Sequence, residues 1–178
     1  MKKLSSDAFD ALIAASTHIA PRVKRELRFV TSVVGITDEQ WEAAELLTIT
    51  DRTGRRGVLL MQPYDDLYIV PFELKTGLMS STGRAQAIIC DFCRTWQVGT
   101  RSGSVTFAKD KRGAQSVSYL CCADLLCSQH VRNLTSASKT SRSQLREDLT
   151  IEQRVDRLKE RLTRIVTELG LEPSLSLQ

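Results

Sequence analysis

The sequence predicts an α+β protein with helices at both ends and antiparallel strands between them. Apolar residues recur at helical spacing over residues 6–19 and 21–30, and again after residue 150. Between these segments, residues 47–72 and 103–121 contain runs rich in β-branched and aromatic residues, separated by turns. A chain of 178 residues with 42% hydrophobic content is long enough for one core.

Capping signals support the N-terminal helices. Pro21 stands where the first turn of a helix tolerates proline, and Gly35 marks the end of the helical pattern. Thr37 and Gln40 then have the spacing of a capping box, which predicts a short third helix. Trp41 lies within that helix, and we expect its side chain in the core.

The central runs predict a small antiparallel β-meander followed by a hairpin. Residues 47–50, 57–62 and 67–72 form the three strands of the meander. A second pair of runs brackets the turn "DKRGAQ" and predicts a hairpin over residues 103–121. The next segment, residues 123–133, has a helical composition, and a Ser/Thr-rich linker follows it.

A long C-terminal helix over residues 150–170 is the clearest element of the sequence. Thr150 and Gln153 form a capping box, and Gly170 stands at the C-terminal stop. The predicted apolar face consists of Val155, Leu158, Leu162, Ile165, Val166 and Leu169. The remaining surface is expected to carry Arg154, Arg157, Lys159, Arg161 and Arg164.

The five cysteines point to metal or redox chemistry. Asp7 and Asp10 interrupt the apolar stretch after the N-terminal lysines, and no apolar run approaches the roughly 18 residues of a membrane span. We therefore expect a cytoplasmic protein without a membrane segment. In that reducing compartment an odd number of clustered cysteines argues against a disulfide scaffold.

The spacing of the cysteines favours a zinc site. Cys90 and Cys93 form a C-x2-C pair, whose tight turn can direct two thiolates at one ion. A strand ending at Cys122 and a helix with Cys127 in its first turns could direct two more. A zinc knuckle at 88–96, a hairpin and a helix follow one another in the order of a treble-clef zinc finger.

Cys121 leaves one choice open. Neighbouring residues of a strand face opposite sides, so only one of Cys121 and Cys122 can serve this ion. The other is expected to pack as a small apolar residue. His130, three residues beyond Cys127, is a further candidate ligand, although four cysteines already complete a shell.

Four sulfurs predict one structural zinc ion and no enzyme. A tetrahedral shell without an open position is structural and holds the knuckle, hairpin and helix together. A redox dithiol is the alternative, but no βαβ pattern surrounds residue 90. The two histidines are in no nuclease or metalloprotease motif, and no phosphate-binding glycine loop is present. We therefore expect no small-molecule substrate.

Three segments of the sequence resemble a known family. The motifs "ICDFC", "CADLLCSQHVR" and "REDLTIEQRVDRLKERLTRIV" are similar to the C-terminal treble-clef zinc-finger domain of the elongation factor G-binding protein (FBP) family, which includes the fusidic-acid-resistance proteins. They cover residues 88–169, with weaker correspondence back to about residue 24. We predict an N-terminal helical extension at residues 1–22 and the elongation factor G-binding zinc-finger domain at residues 23–178.

The resemblance implies the ligand set and a function. It puts zinc on Cys90, Cys93, Cys122 and Cys127, and Cys121 falls where the family usually has an aliphatic residue. It implies a module that docks on elongation factor G and, in the resistance members, releases the drug-stalled factor from the ribosome. Those members carry a substantial helical domain before the zinc domain, so elongation factor binding is predicted here rather than antibiotic resistance.

Charge suggests where a partner would bind. Of 25 basic and 21 acidic residues, fifteen basic and ten acidic side chains lie in residues 84–178, which favours an acidic protein partner for this half. Binding to RNA or the ribosome is the alternative, although few aromatic residues are available there for base stacking. The candidate contact residues are Arg94, Trp96, Lys109, Lys111, Arg112, Arg132 and the arginines of the last helix.

Overall fold

The computed structural model of the protein describes residues 1–109, 115–140 and 147–176, and it has the predicted mixture of helices and antiparallel sheet. The helices are α1 (Ser6–Ala15), α2 (Pro21–Glu26), α3 (Phe29–Val33), α4 (Asp38–Glu42), α5 (Cys127–Val131), α6 (Ser136–Lys139) and α7 (Ile151–Glu168). The strands are β1 (Leu46–Thr50), β2 (Arg56–Met61), β3 (Asp66–Thr76), β4 (Ile88–Ile89), β5 (Trp96–Gln97), β6 (Ser102–Ala108), β7 (Ser116–Cys122) and β8 (Leu175–Ser176).

The predicted meander and hairpin are parts of one antiparallel sheet with the order β1-β2-β3-β6-β7. β3 joins them because it is longer than expected. Its first part pairs with β2, as in Leu60 with Ile69, and its last residues, 73–76, pair with β6. The short β8 pairs with the start of β3, and β4 and β5 form a separate two-stranded sheet.

Two apolar clusters lie on opposite faces of this sheet. On β2, Val58 and Leu60 pack with the N-terminal helices, whereas the alternate residues Leu59 and Met61 pack with the cysteines and α7. This follows from the period of two in a strand, which sends successive side chains to opposite faces. The predicted extension at residues 1–22 contributes to the first cluster through residues such as Phe9. Its boundary at residue 22 stays a prediction.

The helix predicted over residues 21–30 is divided in two. α2 ends at Glu26 because Leu27 adopts an extended conformation with ψ of 140°. The freed backbone amide of Arg28 donates to the carbonyl of Thr50, at 2.9 Å, and α3 then begins at Phe29. The capping box of Thr37 at the start of α4 is confirmed, and Trp41 is buried as expected.

The helix predicted at residues 123–133 is shorter in the structure. Leu125 has a φ of +52°, which a continuous α-helix does not allow, so α5 begins at Cys127 and ends at Val131. The Asp124 side chain accepts a hydrogen bond from the amide of Leu126, at 3.1 Å, and this supports the turn before the helix. Part of the predicted linker forms α6, and its last residues, 141–144, lie outside the described residues.

α7 agrees with the prediction at both ends. The capping box of Thr150 and Gln153 is present, and Gly170 has a φ of +61° just after the helix. Its apolar face packs against the sheet, with Leu158, Leu162 and Ile165 fully buried. The prediction that Arg154 lies on the surface is wrong, because the residue is buried, with 8% of its surface exposed. No helix within the described residues is both long enough and apolar enough to cross a bilayer.

Candidate metal centre

Four cysteines from distant parts of the chain meet in the core. The Sγ atoms of Cys90, Cys93, Cys122 and Cys127 all lie within 4.8 Å of one another, and all four residues are buried. Cys90 Sγ is 3.8 Å from Cys127 Sγ, and Cys93 Sγ is 3.5 Å from Cys122 Sγ. A tetrahedron with zinc–sulfur distances of about 2.3 Å has edges of about 3.8 Å. The sulfur positions therefore have the spacing of a zinc shell.

The first pair of sulfurs is held by a tight turn between β4 and β5. The amide of Cys90 donates to the carbonyl of Thr95, and the amide of Arg94 donates to the carbonyl of Cys90, both at 2.9 Å. Arg94 has a φ of +61°, a left-handed conformation that closes the turn. The structure thus forms the predicted knuckle.

The second pair comes from a strand end and a helix start. Cys122 is the last residue of β7, and Cys127 is the first residue of α5. Between them the amide of Leu125 donates to the carbonyl of Cys122, at 3.0 Å. This second tight turn brings the strand end and the helix to the same point.

Two hydrogen bonds join the knuckle to the hairpin. The amide of Asp91 donates to the carbonyl of Leu120, and the amide of Leu120 donates to Oδ2 of Asp91, both at 2.8 Å. The two halves of the sulfur cluster are therefore held together by these two hydrogen bonds as well as by any bound ion. The sequence alone does not indicate this role of Asp91.

Polar side chains contact the sulfurs from outside the cluster. Gln97 donates from Nε2 to Cys122 Sγ at 3.3 Å, and Thr95 Oγ1 lies 3.0 Å from Cys93 Sγ. Hydrogen bonds to sulfur favour the thiolate form, and such partners also orient metal ligands. Both residues are buried, and the sequence does not indicate their role because their contacts depend on the β4–β5 pairing.

His130 lies beside the cluster. Its ring is fully buried, with Nδ1 3.8 Å from Cys93 Sγ and Nε2 3.5 Å from a carboxylate oxygen of Asp124. Burial alone would lower the pKa of His130, but the neighbouring Asp124 and Cys93 outweigh it and raise the pKa to about 9. The positive charge on the ring favours the thiolate of Cys93.

The pKa values of two cysteines move in opposite directions. Burial raises the pKa of Cys93, but hydrogen bonds from the other three cysteines and His130 bring it well below its ordinary value. Burial raises the pKa of Cys121, and the nearby sulfurs of Cys90 and Cys93 raise it further. Cys121 is not one of the four clustered sulfurs, so its position rather than its pKa identifies it as a residue that packs.

The model of the FBP C-terminal treble-clef zinc-finger matches residues 18–169. The chain belongs to this family. The FBP match begins upstream of the boundary predicted at residue 22 and ends where α7 ends. Curated proteins and solved structures gave no significant match.

Membership of the FBP zinc-finger family and the four-cysteine cluster together fit one structural zinc ion. The ion would supply a closed cross-link between the knuckle, the strand end and α5. Four sulfurs would complete its tetrahedral shell and leave no position for a substrate. In this FBP domain, such a cross-link would hold the surface formed by the knuckle, the strand end and α5 in one conformation.

The predicted contact residues differ in their surroundings. Arg94 is exposed on the knuckle, and Trp96 is half-buried on β5. Lys109 forms an ion pair with Glu168 of α7 at 3.0 Å. Lys111 and Arg112 lie outside the described residues. The partner role of all of them stays a prediction.

Arg132, also predicted as a contact, is used within the molecule. Both of its terminal nitrogens donate to the carboxylate of Glu45, at 2.9 and 2.6 Å, and Nη1 also donates to the carbonyl of Ser128. The Arg132 side chain is 21% exposed and the Glu45 side chain 6%. This pair ties α5 to the start of β1.

A cleft between the knuckle and α7, here called the zinc-side cleft, was not foreseen. It has a volume of about 450 Å³. Its lining residues are Asp91, Phe92, Arg94, Arg157, Glu160, Arg161 and Arg164. Arginines of α7 are thus brought next to an arginine of the knuckle.

Proposed function

We propose that this protein is a non-catalytic cytoplasmic adaptor that binds elongation factor G through its zinc-finger domain. The observation that carries the proposal is the family match over residues 18–169, because binding of this factor is what the resemblance to the FBP family implies. The closed sulfur set supports the non-catalytic part, since a filled shell has no place for a reacting group.

The zinc-side cleft is the surface that we propose for this contact. It combines four arginines with two carboxylates, so an acidic partner would be attracted to it. Arg161 is further held by the ring of Tyr119, 4.9 Å from its guanidinium carbon. Charged groups fixed in this way lose little conformational freedom on binding.

Binding of the purified factor tests the proposal. We expect isothermal titration of the zinc-loaded protein with elongation factor G to give a one-to-one complex. The double variant Arg94→Asn and Arg164→Gln should weaken it at least about tenfold, as expected when interface arginines are lost. Asn is chosen at position 94 because it tolerates the left-handed backbone there.

A matched control variant distinguishes the loss of contacts in the cleft from the effect of lower net charge on binding. The double variant Lys139→Gln and Arg52→Gln also removes two positive charges, but from exposed positions outside the zinc-side cleft. This control should bind like the original protein. Absence of any complex with the zinc-loaded protein would end the proposal, and equal weakening in both variants would move the contact away from the cleft.

The effect on the ribosome is a second step of the proposal. A bound adaptor is proposed to speed the release of the factor from ribosomes. Sedimentation of ribosomes with elongation factor G would show less co-sedimenting factor when the adaptor is added. If the amount of factor that sediments with the ribosomes does not change, although the complex forms in solution, the adaptor binds the factor but does not release it.

A further inference from the structure

Six arginines line a second open cleft, formed by α2, the residues after it and the β1–β2 turn. We call it the arginine cleft. Its volume is about 450 Å³, and it shares no lining residue with the zinc-side cleft. The lining residues are Arg22, Arg25, Glu26, Arg28, Asp51, Arg52, Thr53, Arg55 and Arg56.

The fold creates this concentration of charge. Residues 1–83 contain ten basic and eleven acidic side chains, so the first half of the chain has no basic excess. Six of the ten basic residues nevertheless converge on one cleft. They are brought together because the amide of Arg28 donates to the carbonyl of Thr50, and the amide of Thr50 donates to Oγ of Ser32.

The two carboxylates of the cleft are already engaged. Asp51 accepts from the amide and the hydroxyl of Thr53, at 2.9 and 2.8 Å, and so supports its own turn. Glu26 pairs with Arg22 at 3.0 Å. Outside the cleft, Glu73 pairs with Arg56 at 3.1 Å.

Four arginines of the cleft have no direct ion pair, although the charge of Asp51 offsets part of theirs. Among the described residues, no carboxylate oxygen lies within 4.0 Å of the side-chain nitrogens of Arg25, Arg28, Arg52 or Arg55. Like charges close together repel one another, and a bound anion would reduce this repulsion. This arrangement favours a bound anion.

The backbone of the β1–β2 turn holds the arginines in position. The amide of Asp51 donates to the carbonyl of Arg56 at 2.8 Å, and the amide of Leu74 on β3 donates to the carbonyl of Arg55 at 2.7 Å. Gly54 supplies the positive φ that the turn needs. The turn is thus attached to two strands of the sheet.

The chemistry of the lining identifies the kind of ligand. Guanidinium groups bind phosphate oxygens in pairs of hydrogen bonds, and several of them in a row match a polyanion. Among the described residues, the lining of the cleft includes no aromatic side chain on which a base could stack and no apolar side chain that could anchor a peptide. Its lining therefore suits a phosphate backbone rather than bases or an acidic protein.

We propose that the arginine cleft binds the phosphodiester backbone of RNA without reading its sequence. The choice of RNA as the source of the backbone rests on the proposed function, because elongation factor G works on the ribosome. The zinc-side cleft and the arginine cleft would then give the adaptor one protein-binding and one RNA-binding surface.

The test uses the full zinc-loaded protein and a fluorescein-labelled RNA of 20 nucleotides with mixed sequence. Fluorescence anisotropy would be measured at several potassium chloride concentrations. In the triple variant Arg25→Gln, Arg52→Gln, Arg55→Gln we expect affinity to fall at least about tenfold. The slope of log affinity against log salt should decrease by about 2, since each lost phosphate contact on a single strand accounts for about 0.7.

The control variant removes three charges elsewhere. Arg84→Gln, Arg101→Gln and Lys139→Gln, at exposed positions outside both clefts, should leave RNA affinity and its salt slope nearly unchanged. Zinc content and circular dichroism would verify that both variants are folded. Equal losses in the two variants, or no RNA binding by the original protein at low salt, would overturn the proposal.

Two further measurements distinguish RNA from an acidic protein as the ligand of the arginine cleft. A polyglutamate peptide that displaces the RNA at comparable concentration would identify an acidic protein as the ligand and contradict the proposal. Elongation factor G binding should be unchanged in the triple variant. If the factor does not bind the original protein at all but RNA does, the proposed function fails and the cleft assignment stands.

Discussion

Cys121 and Cys122 are neighbours on β7, yet their sulfurs have different surroundings. Cys122 Sγ lies 3.5 Å from Cys93 Sγ within the four-sulfur cluster. Cys121 is paired across the sheet with Gly103. A Cβ atom added to Gly103 would lie 3.3 Å from the sulfur of Cys121. The glycine thus leaves the space that the Cys121 thiol occupies.

Substitution of the two cysteines should separate ligand from packing residue. We expect Cys122→Ser to lose zinc and fold poorly, because metal binding contributes on the order of 10 kcal/mol in small zinc domains. Cys121→Ser should keep one zinc ion per chain and lose only about 1 to 2 kcal/mol for the buried hydroxyl. Metal analysis and thermal unfolding measure both, and the reverse pattern would refute the assignment of Cys122.

Gln97 should tune the metal site without binding the ion. Gln97→Leu removes the hydrogen bond to Cys122 Sγ, and loss of such partners typically weakens metal affinity about 10-fold to 100-fold. Competition with a zinc chelator would measure this. Gln62→Leu, a similarly buried glutamine away from the cysteines, is the control. Equal zinc affinity in all three proteins would exclude the proposed role of Gln97.

The sequence was sufficient for the elements with strong local signals. The capping boxes of Thr37 and Thr150, the apolar face of α7 and the alternation that separates Cys121 from Cys122 all depend on nearest neighbours. These predictions are confirmed because local rules and the final packing agree.

Features that depend on tertiary contacts were not predictable. Arg154 and Arg132 look like surface cations in the sequence, but Arg154 is buried and Arg132 has Glu45, 87 positions away, as its partner. The break at Leu27 depends on a hydrogen bond from Arg28 to β1. Charge counted along the chain likewise gave no sign of the arginine cleft, which exists only after β1 and α2 meet.

The pair of Arg132 and Glu45 should be important for stability. Arg132→Leu leaves a nearly buried carboxylate without its partner, which we expect to cost about 3 kcal/mol. The double variant Glu45→Leu, Arg132→Leu removes both charges and should recover most of this loss. Urea unfolding of the three proteins measures the coupling; a double variant no more stable than the single one would contradict this explanation.

The phenol of Tyr119 should lose its proton at a higher pH than an ordinary tyrosine does. Burial raises its pKa, and Glu168, whose Oε2 accepts the phenol hydrogen bond at 2.6 Å, raises it further to about 12. The stability from this interaction is present below the unfolded pKa of about 10 and is lost as pH rises toward 12. Carbon NMR of labelled tyrosine would measure the shift.

In Glu168→Gln the negative charge is absent, so the pKa of Tyr119 should fall toward the ordinary value for tyrosine. Glu152→Gln, in the first turn of the same helix, is the control and should leave the titration of Tyr119 unchanged. A Tyr119 resonance that titrates near pH 10 in the original protein would show that the hydrogen bond is not formed.

The alternation along β2, with Val58 and Leu60 on one face and Leu59 and Met61 on the other, has a consequence for how the molecule loses its structure. A strand cannot detach from one cluster and remain ordered in the other. Chelation of the ion should therefore melt the N-terminal helices together with the sulfur site, in a single cooperative transition rather than two.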